Sequence, residues 1–452
     1  MEETSADDEG VNKRHVTFAI PAEADANRVP LLLQRSYARS KSLMYDDLCS
    51  FRIILKWCAL DHSSYSGKVI SYLTFTFLAV LVPIIICVTV RDTSHDNEGG
   101  VENSTWFMII NKLVQLPESA LAGISFLTLC RFFRQYGLRQ LLFLDALQDD
   151  TRFVRFGYAR ALDKAFRLLS WLLLPSFIVE FAHKVVFFST VTICTPGVPP
   201  NAVENTLAFV LALASWLYRT VLFLLVCVLF RLTCELQILR FEGFYKLMDV
   251  GHDGSRADEI FEEHLRIKKQ LSVTSHRYRF FIIACMVTIT ISQFVALFLV
   301  LTSKSSKTFL NSGDLVVCSA VQISGFFLCL MGATRITHRA QGVVSMATKW
   351  NMAMAMTSSQ EQEEETIEED DETIKFPSPS SSESDSDVNM IKICSHECNS
   401  FRTRLSLVTY LQHNNGGITL YGYALDRGLL HTLFAFEFSL VLWILSKVVV
   451  LS

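Results

Sequence analysis

The chain has 452 residues, 50% of them hydrophobic and 19% charged, and its mean hydropathy is +0.32. That balance is unusual for a soluble domain and ordinary for a protein that crosses a membrane several times. The formal net charge of −4 says little, because the distribution of the charges carries the information.

The first sixty-odd residues are polar and mixed in charge. They hold no long apolar core followed by a small-residue cleavage site, so no cleaved signal peptide is expected and the first membrane helix acts as its own insertion signal. A bilayer core takes roughly 20 apolar residues per helix. "VISYLTFTFLAVLVPIIICVTV" (69–90) is uncharged and reads as the first span. The second, about 106–130, carries Lys112 and Glu118; the third, about 168–192, carries Glu180, His183 and Lys184; the fourth, about 206–230, carries Arg219. Segments 280–301 and 315–333 are uncharged, and a closing segment, about 429–451, holds Glu437 and Lys447. Pro83, Pro117 and Pro175 lie inside spans, where a proline usually kinks the helix. Segments two and three do not sort their apolar residues onto one face, which argues against surface-lying amphipathic helices.

Lysine and arginine near spans stay on the cytoplasmic side. The loop 91–105 has only Arg91, 131–167 has eight basic residues, 193–205 none, 231–279 nine, 302–314 two and 334–428 eight. This alternation predicts an all-α polytopic protein of seven transmembrane helices, with the N-terminus cytoplasmic and the C-terminus outside. The N-x-S/T sequon at Asn103 falls in the first outer loop of that arrangement and is the candidate glycosylation site. Plasma membrane is the default location.

The expected organisation is a cytoplasmic region at 1–67, mostly disordered with a short pre-membrane helix; six spans with cytoplasmic helical extensions at 68–334; a last cytoplasmic loop at 335–428; and the closing helix at 429–452. Within 231–279, "RLTCELQILRFEGFYKLM" continues span four inward, "GHDGS" breaks it, and "ADEIFEEHLRIKKQL" restarts a helix that runs into span five. The acidic, Ser-rich insert at 357–390 has almost nothing to bury and reads as disordered. Ser380, Ser382 and Ser384 each precede an acidic residue by three positions, which suits an acid-directed kinase; a passive solvated spacer is the alternative. "CSHEC" (394–398) lacks the ligand set of a zinc site, so no metal or cofactor is expected.

Ionisable residues within spans face protein or water rather than lipid. Under the predicted topology Lys112, Gln115, Glu118, Glu180, His183, Lys184, Trp216, Arg219, Gln293 and Gln322 share a middle-to-outer layer. Glu180 and Lys184 are four apart on one helical face and can pair. Arg219 needs a carboxylate, which Glu118 or Glu180 could supply. Two readings stand together: buried ion pairs that fix helix packing, and a polar cavity that binds a small molecule. The sequence contains no HExxH, G-x-S-x-G or GxxxxGK[ST], so nothing points to an enzyme, and the basic residues at loop ends give no support for nucleic-acid binding.

The layout and one local stretch carry a resemblance. Gly422, Tyr423, Ala424, Leu425, Asp426, Arg427, Gly428, Leu429 and Leu430 match a "G-aromatic-x-Leu-Asp-x-x-Leu-Leu" run that leads into the last helix of the insect odorant and gustatory receptor superfamily. With its acidic insert and "LDHSSYSGK" before span one, the chain most resembles the plant gustatory-receptor-like family, filed as a domain of unknown function. The resemblance implies a homo- or heterotetrameric ligand-gated ion channel in the lipid bilayer, with an anchor helix at about 391–412 between subunits, a pocket for an unidentified small molecule in each subunit, and a central pore lined by the last helix. Glu437, Ser439, Trp443, Ser446 and Lys447 are the pore-helix candidates. The Thr-Tyr and Gln-Phe pairs that insect gustatory receptors carry in this helix are replaced by Ser439-Leu440 and Ser446-Lys447. A lysine ring would disfavour cations, whereas Lys447 at the outer end can snorkel to headgroups. Glu437 could form a carboxylate ring or pair with another helix, Arg219 for example. The competing functions are a small-molecule transporter, against which stand the odd number of spans and the absence of an inverted repeat, and a non-conducting adaptor.

Overall fold

The computed structural model describes residues 65–91, 101–135, 150–190, 192–193, 202–250, 257–302, 309–368, 401–414 and 416–450. The architecture is helical apart from two short two-stranded pairings. Helix α1 runs from Tyr65–Phe75 through a π-helical stretch, Thr76–Leu81, into Val82–Thr89. It is followed by β1 (Val90–Arg91), α2 (Val101–Gln135), α3 (Arg152–Thr190), β2 (Thr192–Ile193), α4 (Ala202–Val250), α5 (Ala257–Thr302) and α6 (Phe309–Glu368). A helix at 401–413, α7, precedes β3 (Thr419–Leu420), β4 (Tyr423–Ala424) and α8 (Arg427–Val450).

Six helical segments among the described residues are long and apolar enough to cross a membrane: Tyr65–Val88, Gln115–Gln135, Arg152–Ser189, Val203–Met248, Ala257–Phe298 and Val316–Met356. The chain is a multi-pass membrane protein. Helix α8 adds 24 residues of apolar helix. The helices begin and end well beyond the hydropathy peaks. α4 has 49 residues, α5 has 46 and α6 has 60, so at 1.5 Å per residue each exceeds the roughly 30 Å hydrocarbon layer by a wide margin.

Two boundaries differ from expectation. Helix α2 starts at Val101, which puts Asn103 in its first turn and not in the preceding loop. Helix α6 runs to Glu368, into the acidic stretch expected to lack structure from residue 357. Hydropathy marks where a helix meets lipid and is silent about its polar ends, and the Gln- and Glu-rich sequence past Met356 is made of good helix formers. The N-terminal region, the rest of the acidic insert with Ser380, Ser382 and Ser384, and the CSHEC stretch lie outside the described residues.

Helix α4 is the hub. In its most apolar window 83% is buried, against 28% in α1 and α3. The run Leu222 to Phe230 is buried without interruption, as a helix apolar on every side must be. It packs on α1, α2, α3, α5 and α6. Against α6, Gly325 leaves room for Phe223: a Cβ there would lie 2.6 Å from Phe223 Cε1. Small residues allow this approach between membrane helices.

At the end of the bundle where α3 begins, Asp150 gathers two arginines. Arg240 of α4 donates from Nε (3.0 Å) and Nη2 (2.7 Å) to Oδ2, and Arg266 of α5 donates from Nη2 to Oδ1 at 2.7 Å. Gln270 accepts a further bond from Arg240, and Lys268 Nζ reaches Asn414 Oδ1 at 2.6 Å, tying α5 to the end of α7. The turn between β3 and β4 holds Tyr421 (φ +50°) and Gly422 (φ +94°), both in the left-handed region that two-residue hairpin turns require. Leu425 N–H then donates to Ile418 O at 2.9 Å, and Asp426 Oδ1 accepts from Leu429 N–H at 2.8 Å as the N-cap of α8. The "Gly-Tyr-Ala-Leu-Asp" run is therefore a turn, a buried anchor and a helix cap in sequence.

Candidate functional site

The site begins with a proline. In the π-helical stretch of α1, Val82 N–H bonds Phe77 O, five residues back. In that register Leu78 O would accept from residue 83, which is Pro83 and has no N–H. Ser215 of α4 supplies the missing donor: its Oγ lies 2.6 Å from Leu78 O. A buried carbonyl left alone is costly, so α4 is held against α1 at this level.

One turn further along α4 is Arg219, 5% exposed, whose Nη2 lies 3.2 Å from Glu118 Oε2 on α2. Its Nη1 donates to Ser119 Oγ at 3.1 Å and Gln115 O at 3.4 Å, and its Nε to Ser215 O at 3.4 Å. Of the two carboxylates expected to serve Arg219, Glu118 does so. Glu180 pairs along its own helix with Lys184 at 3.3 Å, as the spacing predicted.

Two adjoining cavities share Glu118, Trp216 and Arg219 as a common wall. The first, with free space for about one water molecule, lies among α1 to α4 and adds Pro83, Gln115 and Lys184 to that wall. The second, also with free space for about one water molecule, lies among α2, α4 and α6 and adds Phe223, Cys318 and Gln322. The sequence layer thus converges here through Gln115, Glu118, Lys184, Trp216, Arg219 and Gln322. Glu180 and His183 are buried but line neither cavity. Gln293 lies away on α5, fully buried, with no partner for its amide among the described residues. The side chain of Lys112 is outside the described set. Ser215 and Pro83, which build the wall, carry no charge and give no signal in a scan for ionisable residues.

Helix α8 separates its candidates onto two faces. Glu437 is 2% exposed and accepts a hydrogen bond from Thr290 Oγ1 of α5, so it is bonded to a neighbouring helix, and that helix is not the one carrying Arg219. Ser439, Trp443 and Ser446 are exposed on the remaining surface, and the side chain of Lys447 is outside the described set. The helix rests on α5 and α6 through one narrow stripe that includes Leu430, Leu433, Phe434 and Glu437.

Among solved structures the chain is similar to the insect olfactory receptor OR5 from Machilis hrabei, at 12% identity and a TM-score of 0.47, over 88% of this chain and 98% of that one. The same receptor in complex with eugenol aligns at 12% identity and a TM-score of 0.46, over 85% and 91% of the two chains. No curated protein matches. A family model described as "Protein of unknown function (DUF3537)" matches residues 46–436, most of the chain. The protein belongs to the DUF3537 family.

Proposed function

We propose that this chain is a subunit of a ligand-gated ion channel, with seven spans, a cytoplasmic N-terminus and an outward C-terminus, working as a homo- or heterotetramer in the plasma membrane. The carrying observation is the paired cavity around Arg219, because six residues singled out from sequence alone line it. Its charges balance, Glu118 against Arg219 and Glu180 against Lys184. Such a site has no net charge to draw in an ion. Once the helices around Arg219 part to widen a space that now holds about one water on each side, it suits a small neutral molecule that offers one or two hydrogen-bonding groups and an apolar body to Trp216 and Phe223.

The alternation of basic loops supports the orientation, under which the cavities lie in the outer half of the bundle. The hairpin and cap at 419–426 give the Gly422–Leu430 resemblance a structural role at the entry to α8. Ser439, Trp443 and Ser446 lie on the open surface of that helix, where a central axis between four subunits would run; Glu437 lies on the other face and takes no part in the pore.

The test is the subunit count of the purified full chain by native mass spectrometry with lipid retained, followed by current recording in a planar bilayer. Four copies are expected. A clean monomer removes the central pore and turns the reading to transport or to an adaptor role.

A further inference from the structure

Helix α3 carries an exposed stripe at positions 160, 164, 167, 171, 174, 178, 181 and 185, with alternating steps of four and three residues. Such steps keep residues on one side of a helix. Read along the axis, the stripe begins with Arg160, Lys164 and Arg167, passes through Trp171 at 74% exposure, and continues with apolar side chains, among them Leu174 at 59% and Ile178 at 61%. From Trp171 to position 185 is about 21 Å, which fits within the hydrocarbon layer. Trp171 is then at the depth where amphipathic rings gather. Arg167 is about 6 Å beyond it, in the headgroup layer, and Arg160 about 16 Å, on the aqueous side of that layer within about a Debye length of the charged surface.

We propose that Arg160, Lys164 and Arg167 form a binding ladder for anionic phospholipid headgroups of the leaflet next to the start of α3. Three cations stand one turn apart, and the acid beside them, Asp163, pairs among the described residues with Arg167, at 2.8 Å and with both side chains largely exposed. An exposed pair of that kind is weak. Arg160 and Lys164 have no ion-pair partner among the described residues. A second protein chain would have to match cations, a tryptophan and a pure apolar run in bilayer order, whereas an anionic leaflet matches all three at once. The proposal rests on the membrane-spanning character of α3 and on nothing about conduction, so the two fail separately.

The test uses the full chain in lipid nanodiscs containing dibrominated phosphatidylserine or dibrominated phosphatidylcholine. The Trp171 contribution to fluorescence is isolated as the difference between the unaltered protein and Trp171→Phe. Bromines on phosphatidylserine are expected to quench that contribution at a several-fold lower mole fraction, since each basic residue near a charged surface is worth about fivefold in association. Raising the salt should shrink the difference in the unaltered protein. In Arg160→Gln/Lys164→Gln/Arg167→Gln the two lipids should quench equally, with quenching by phosphatidylcholine retained as proof that α3 still faces lipid. Equal quenching in the unaltered protein, a preference that survives the triple variant, or no quenching of Trp171 by either lipid overturns the proposal.

Discussion

Replacing Ser215 with alanine removes the donor that serves Leu78 O, an atom on another helix and far away in sequence. The carbonyl is then enclosed between α1 and α4 with its π-register donor missing, because residue 83 is proline. A buried acceptor stripped of its partner costs about 1–3 kcal/mol. Pro83→Ala returns an N–H to the chain at the position from which Leu78 O can be served. On that background Ser215→Ala should cost less than about 0.5 kcal/mol, which sets a coupling of about 1–2 kcal/mol between two residues that share only one carbonyl. The four proteins of this cycle can be unfolded in mixed micelles by titration with dodecyl sulfate, followed by far-UV circular dichroism. If the two substitutions add within about 0.5 kcal/mol, the proline is not what orphans Leu78 O, and the account of how α4 is fixed against α1 fails.

Asp150→Ala leaves Arg240 deeply buried with Gln270 as its remaining side-chain partner, and should cost about 3–5 kcal/mol in the same titration, most of it recovered in Asp150→Leu/Arg240→Met. Glu118→Gln should cost less than Asp150→Ala, because Arg219 keeps Ser119 Oγ and two backbone carbonyls; its larger effect is expected on small-molecule response, measured as a shift in the dose dependence of current. Asp426→Ala should remove about 1 kcal/mol by uncapping α8, and Asp426→Ser should restore most of it, read from thermal unfolding in detergent.

The spans were legible because lipid imposes a run of apolar residues that no fold-specific detail can hide. The extension of α4 and α5 beyond their spans was legible too, through the apolar spacing of "RLTCELQILRFEGFYKLM" and the breaking sequence "GHDGS". The convergence of Glu118, Trp216, Arg219 and Gln322 could be anticipated since charge inside a membrane has few places to go. What stayed hidden was partner choice. Glu118 and Glu180 were equally eligible for Arg219, and only helix rotation decides between them. Glu437 found Thr290, a neutral hydroxyl that no charge-matching argument selects. Asp150 sits at the end of a loop crowded with arginines that positive-inside counting already explains, so its buried pairing with Arg240 had no separate signal. The π-helical stretch was invisible although Pro83 was noted, because a proline announces a defect without saying which helix repairs it.

Helix α6 has a mechanical consequence. From Gln322, at the second cavity, to Glu368 the helix continues without a break for about 69 Å. Part of that rod is braced to α4, through Arg335 with Glu235 at 2.6 Å and Arg339 with Glu242 at 3.4 Å, while the final turns run on into the acidic sequence that starts at Glu361. A tilt of about 5° pivoting at Gln322 would carry Glu368 through about 6 Å. A displacement too small to open a cavity visibly at one end becomes, at the other, a stroke longer than a helical turn.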